Sequence, residues 1–152
     1  MMVSRLPHSR ILLLIMVASL ACVFAKARAA TISQLNALSE FESHNNDRAR
    51  GKGGELSRFQ IPPKIWAHYT SSRDYTNAAV ARGVAARICQ EQEQGFRRAT
   101  RRNPTNQELF LLWAAPSKFR SMHYQYSRVS SGTRKNAERF AAIANSRMVA
   151  RR

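Results

Sequence analysis

The sequence predicts a mainly α-helical domain, with a short loop or extended segment after the first helix of the mature chain. Three observations carry that expectation. Apolar residues recur at three- and four-residue spacing after Thr31, Tyr75 and Thr133. Two stretches open on a capping box, Thr31-Ile32-Ser33-Gln34 and Thr105-Asn106-Gln107-Glu108. Little of the chain reads as strand; Glu55 to Ile61 is the one candidate. Five or six helices are expected, and a chain of 152 residues fits a single domain.

The N-terminus is set apart by composition. Arg5 and Arg10 precede an uncharged apolar run from Ile11 to Phe24, and two small-residue patterns follow, Ala25-Lys26-Ala27 and Ala27-Arg28-Ala29. The run is shorter than the ~20 residues of a bilayer span. Residues 1–29 therefore read as a cleaved export signal, 30–148 as one domain and 149–152 as a frayed basic tail. The expected location is the periplasm or the outside of the cell. Ser19-Leu20-Ala21 before Cys22 is a poor lipoprotein context, which disfavours a lipid anchor there.

In the first mature helix, Ile32, Leu35, Leu38 and Phe41 form one apolar face. Glu42 lies four residues after Leu38 and seven after Leu35, so it points with that face. Desolvation there raises a carboxyl pKa. Glu40 points the other way and reads as an ordinary solvated acid. His44 to Gly54 is a polar, glycine-bearing loop. Glu55 to Ile61 is a short strand or an irregular extended piece, with Leu56, Phe59 and Ile61 as its apolar content. Pro62 and Pro63 end it and open a helix with Ile65, Trp66 and Tyr69 on its apolar face.

Ser71 to Asp74 reads as a turn. One long helix is expected from Tyr75 to about Ala99, with Val80, Val84, Ile88, Cys89 and Phe96 along its stripe. The basic run Arg97 to Arg102 suits its C-terminal end. The second capping box gives Glu108 a structural task. Leu109 to Ala115 is almost continuously apolar and reads as a helix buried on most sides, stopped by Pro116. Ser117 to Ser131 is ambiguous. A last helix is expected from about Thr133, with Ala137, Phe140, Ile143, Ala144 and Met148 on one face.

Charge and cysteine usage narrow the partners. The chain carries +16, and removing the four cations of residues 1–29 leaves about +12. Such a surface attracts polyanions; a solvated basic surface is the plain alternative. Cys89 alone would remain after cleavage, so packing rather than a disulfide holds the domain. His44, His68 and His123 have no metal-ligand spacing, and no Ser-His-Asp set is assignable. No metal and no cofactor are expected.

Glu42-Ser43, then Asn45 and Asn46, then the glycine-rich loop, then Phe59-Gln60-Ile61 with Pro63, resemble the ordered motifs of the lysozyme-like superfamily of goose-type lysozymes and soluble lytic transglycosylases. There a helix ends in Glu-Ser and a loop leads to a Gly-x-x-Gln-Ile type segment. Leu112-Trp113-Ala114-Ala115-Pro116 occupies the place of that family's aromatic-Asn-Ala-Gly-like motif. Val129, Thr133, Ala137, Arg139 and Phe140 are similar to its closing helix. The resemblance runs from roughly Ile32 to Ile143, and it is the ordered set, not Glu-Ser alone, that gives it specificity.

The resemblance implies a lysozyme-like helical fold and cleavage of the β-1,4 bond between N-acetylmuramic acid and N-acetylglucosamine in peptidoglycan. Glu42 would protonate the bridging oxygen as general acid, kept protonated by apolar neighbours as in lysozyme. In the transglycosylase version the substrate's acetamido group assists, Glu42 then acts as base, and the muramyl O6 hydroxyl attacks. In the hydrolytic version a second acid is needed, and Glu55 is preferred to Asp47 because it opens the segment facing the cleft. Ser43, Gln60, Glu55 and Trp113 would contact substrate or orient Glu42. Their plainer roles are a helix-end serine, a turn-stabilising amide, a solvated loop acid and a core tryptophan. His44 stands where the family commonly has glycine, and Ala114 where it has asparagine. Those departures and the charge carry the alternative, a non-catalytic basic wall-binding or assembly factor on the same fold. Peptidoglycan glycan strands are the implied partner, with anionic envelope polymers and a secretion-machine assembly as further candidates. Nucleic acid has only the charge behind it, and export argues against it.

Overall fold

The computed structural model describes residues 30–149. The expected export signal and residues 150–152 of the expected tail lie outside the described residues, as does the side chain of Met148. Among the described residues there are six α-helices and one short 3-10 turn, and no strand. Mainly α is therefore correct as a class. No described helix is long and apolar enough to cross a membrane.

Helix α1 spans Ile32–Ser43 and starts at the expected capping box: Thr31 accepts from the Gln34 amide, and Gln34 accepts from the Thr31 amide. Leu35, Ala37 and Leu38 are buried, and Phe41 meets Phe110 edge-on at 4.9 Å. Ile32 was expected on this face but is exposed, because it sits at the helix's first turn, beyond the edge of the core. Glu40 is not a free solvated acid: its carboxylate accepts from Arg147.

Residues 44–62 form a looped segment with no strand. Leu56 and Ile61 exchange two backbone hydrogen bonds of 2.9 Å each, and Leu56 also bridges to Arg50. Ser57 and Gln60, at φ 65° and 51°, kink the chain between those bonds, so the segment closes on itself instead of extending. Leu56, Phe59 and Ile61 are all buried, as their apolar character requires.

Helix α2, Pro63–Tyr69, has proline in its first turn. Its expected apolar face divides. Trp66 is buried and donates from Nε1 to the Ser72 carbonyl at 2.7 Å, whereas Ile65 is exposed. Helix α3, Ala78–Thr100, is capped by Asn77, which accepts from Ala79 and Val80. Val84, Ile88, Cys89 and Phe96 are buried along it. Burial also pushes the Cys89 thiol up, so it is an inert packing residue.

Helix α4, Asn106–Ala114, starts at the second capping box. The Glu108 carboxylate accepts from the Thr105 amide and from both terminal nitrogens of Arg102. Burial alone would raise its pKa, but Arg102 and Thr105 together bring it below the ordinary value. Its structural role is therefore stronger than a cap alone. Leu109, Phe110, Leu111 and Leu112 are all buried, making α4 the helix at the centre of the domain.

Helix α4 ends just before Pro116, as expected, but Pro116 has a second role. It opens α5, Pro116–Ser121, inside the stretch left ambiguous by sequence, and the 3-10 turn Tyr126–Arg128 follows. Helix α6, Ser131–Val149, begins two residues earlier than expected and includes Val149 of the expected tail. It packs along α4 and α1, burying Ala137, Phe140, Ala141 and Ala144, with Phe110 and Phe140 5.7 Å apart.

Candidate active site

A groove of about 780 Å³ runs between the end of α1, the looped segment, α2, α3 and the junction of α4 with α5. Glu42 lines it from the C-terminal turn of α1. Leu35 and Leu38 carry that helix face into the core, which leaves the carboxyl half-buried at the groove wall. Burial pushes the Glu42 pKa up to about 7, against a hydrogen-bonding pull downward from the Trp113 side chain. A carboxyl so placed is divided between its protonated and ionised forms near neutral pH, as a group that gives and then takes a proton must be.

Trp113 reaches the groove from the last turn of α4, and its ring lies edge-on to buried Phe59 at 6.4 Å. It is neither wholly core nor a free platform: one side packs on the looped segment and the rest is half-exposed in the groove beside Glu42. Ala114, also exposed in the groove, presents only a methyl group.

Glu55 and Gln60 both line the groove, and both are already engaged with the loop. Glu55 Oε2 accepts from the Gly53 amide at 3.0 Å. Its carboxylate lies over the loop so closely that a Cβ at Gly51 would stand 2.0 Å from it. This contact explains the glycine there: any side chain would expel the acid. Gln60 donates from Nε2 to the Ser57 carbonyl at 3.0 Å, the turn-stabilising role, and its Oε1 faces the same Gly51 position.

Ser43 does not line the groove. Its hydroxyl donates to the Arg58 carbonyl at 2.8 Å and accepts from the Asn46 amide at 3.1 Å. Asp47 holds Arg58 by two bonds of 2.6 and 2.7 Å, and Arg58 in turn holds the Asp47 carboxyl below its ordinary pKa. Asp47 is thus a tether and not the partner acid. Ser43 and Asp47 together pin the looped segment to the end of α1. The expected contact of Ser43 with substrate is replaced by this positioning role, because its hydroxyl points back at the loop backbone.

His44 caps α1 in the left-handed conformation, φ 54°, and Asn45 follows at φ 63°. A left-handed helix end is a backbone conformation that glycine adopts without strain. The His44 ring is exposed and is not among the groove-lining residues.

Sequence reasoning missed the opposite wall. Tyr69 on α2 donates to Glu91 on α3, and both line the groove with His68 and Gln92. Burial, and then Glu91, push the Tyr69 hydroxyl up to about 12, so it stays a donor. The signal was present: Glu91 follows Ile88 by three residues, at the edge of the α3 stripe, as Glu42 follows Leu38 by four. Among the described residues no group of His, Cys, Asp or Glu could hold a metal ion. No family model, no curated protein and no solved structure matches this chain.

Proposed function

We propose that the chain is an exported peptidoglycan-cleaving glycosidase, of lytic transglycosylase or lysozyme type, with Glu42 as general acid and base at the N-acetylmuramic acid to N-acetylglucosamine β-1,4 bond. The observation that carries this reading is the Glu42 carboxyl: half-buried, raised to about 7, and set in the wall of a solvent-open groove of about 780 Å³. An extended polymer needs a groove, and protonating a glycosidic oxygen needs an acid that keeps its proton near neutral pH. Ser43, His44 and the Asp47–Arg58 pair act through positioning.

The engagement of Glu55 favours the single-glutamate, substrate-assisted version. Its carboxylate is bound to the Gly53 amide, while Glu42 is served by Trp113. A second reading, a wall-binding factor without turnover, is favoured by one observation: Ala114 offers no polar group beside Glu42.

Mature protein incubated with purified peptidoglycan separates the readings, with the released muropeptides analysed by mass. Anhydro-ended fragments are expected, and Glu42→Gln should lower their yield by roughly 10²-fold or more. Reducing-end products would assign hydrolysis instead. Full activity in Glu42→Gln would sink the proposal, and tight pelleting with no release would support the binding factor.

A further inference from the structure

A second cavity follows the groove along α3. Ile88, Glu91 and Gln92 line it from α3, and the same helix face continues through Gly95 to Arg98. There the second cavity, of about 460 Å³, opens. The facing wall continues in the same way: Pro116 of α5 lines the groove, and Arg120, one turn on, lines the second cavity with His123. Gly95 lines the second cavity on the side toward Gln92.

The two spaces differ in charge. All nine acids of the chain lie within the described residues; Glu42, Glu55 and Glu91 line the groove, and none lines the second cavity. Carboxylates hold Arg58, Arg102 and Arg147. Among the described residues, no hydrogen bond or ion pair engages the side chains of Arg98, Arg120 or His123. The turn carrying His123 is an unusual one. His123 and Tyr124 are consecutive left-handed residues, at φ 53° and 58°. The Tyr124 ring, packed on Phe96 at 5.0 Å and Phe119 at 5.4 Å, holds that turn in place.

We propose that Arg98, Arg120 and His123 form an anion site beyond the groove, one further stretch along α3 and α5, which binds a carboxylate or phosphate group pendant on the bound glycan strand. This rests on the glycan-strand function proposed above. Two guanidinium forks and an imidazole around one cavity suit planar or tetrahedral oxyanions. Seven residues separate Glu91 from Arg98, about 10 Å along the helix. The acids lining the groove disfavour a pendant anion there and favour its placement beyond them.

The test uses Glu42→Gln protein, which is expected to bind strands without cutting them. Its affinity is measured for strands with intact peptide stems and for strands stripped of them. Stem-bearing strands should bind about five- to tenfold more tightly. The double variant Arg98→Ala/Arg120→Ala should erase that difference. Arg128→Ala/Lys135→Ala, removing equal charge elsewhere, should retain it. Stripped strands that keep a phosphodiester-linked polymer separate the two carriers of negative charge. Equal affinity for all strands, or equal loss in both double variants, would overturn the anion site and leave the groove function standing. Failure to bind any strand would sink the groove function, and inorganic phosphate then decides the anion site. Amide resonance shifts confined to Arg98, Arg120 and His123 support it; shifts spread over all arginines refute it. Binding to phosphatidylglycerol vesicles that needs Arg98 and Arg120, with no strand preference, would also overturn it.

Discussion

Burial and the Trp113 side chain set the pKa of Glu42, and no arginine or lysine is among its causes. Glu40, Asp47 and Glu108 each face an arginine, and the arginine holds the Asp47 and Glu108 carboxyls low. Glu42 faces burial and an indole donor, so its folded pKa stands at about 7 against an ordinary 4.5. The folded chain therefore holds a proton that the unfolded chain releases between those two values. Stability from this group is fully present below about pH 4.5 and is lost as pH rises through 7. Glu42→Gln removes that slope. Denaturant unfolding should show the variant gaining on the wild type between pH 4 and pH 8, by on the order of 1–3 kcal/mol. A pH-independent difference would mean that Glu42 titrates as an ordinary surface acid. The facing of Glu42 was legible in its spacing from Leu35 and Leu38. Trp113 is a candidate from sequence, but its bond to Glu42 is not readable there, and Glu91 across the groove is not among the candidates at all, because both arrive from helices distant in the chain. Glu55 lines the groove as its position along the chain suggested, but only the fold reveals the Gly53 amide bound to its carboxylate.

The helix starts were the most readable elements, since a capping box states its own hydrogen bonds and both formed as expected. Ends were harder. Pro116 follows the end of α4 as expected, yet proline also fits a first helical turn, and α5 begins on it. The looped segment was unreadable as geometry because its shape depends on left-handed backbone at Ser57 and Gln60, two residue types that do not advertise it. His44 is the same case at the exit of α1. Its left-handed cap costs a non-glycine residue about 1 kcal/mol, and its exposed ring offers no packing in return. His44→Gly should therefore raise stability by about 0.5–1 kcal/mol, read as a higher denaturation midpoint at unchanged slope. A loss of stability would show that the ring makes a contact worth more than the strain.

At the scale of the whole molecule, the sign of the charge was legible from composition, but its placement was not. Three of the nine acids are spent inside the groove, so a strongly basic protein presents a locally acidic cleft beside a wholly basic cavity. Only the packing of α3 against α5 puts Arg98 and Arg120 around one space. The burial pattern also sorts the two tryptophans. Trp66 is sealed in the core with its indole N–H bound to Ser72, while Trp113 stands in the groove with its side chain on Glu42. The molecule thus carries its own optical probe of the reactive carboxyl. In Trp66→Phe protein the remaining emission should titrate with a midpoint of about 7, and Glu42→Gln should flatten that curve. An unchanged titration in the double variant would assign the signal to another group. Glycan bound in the groove should shield the same indole from a neutral quencher, giving a measure of occupancy that requires no turnover.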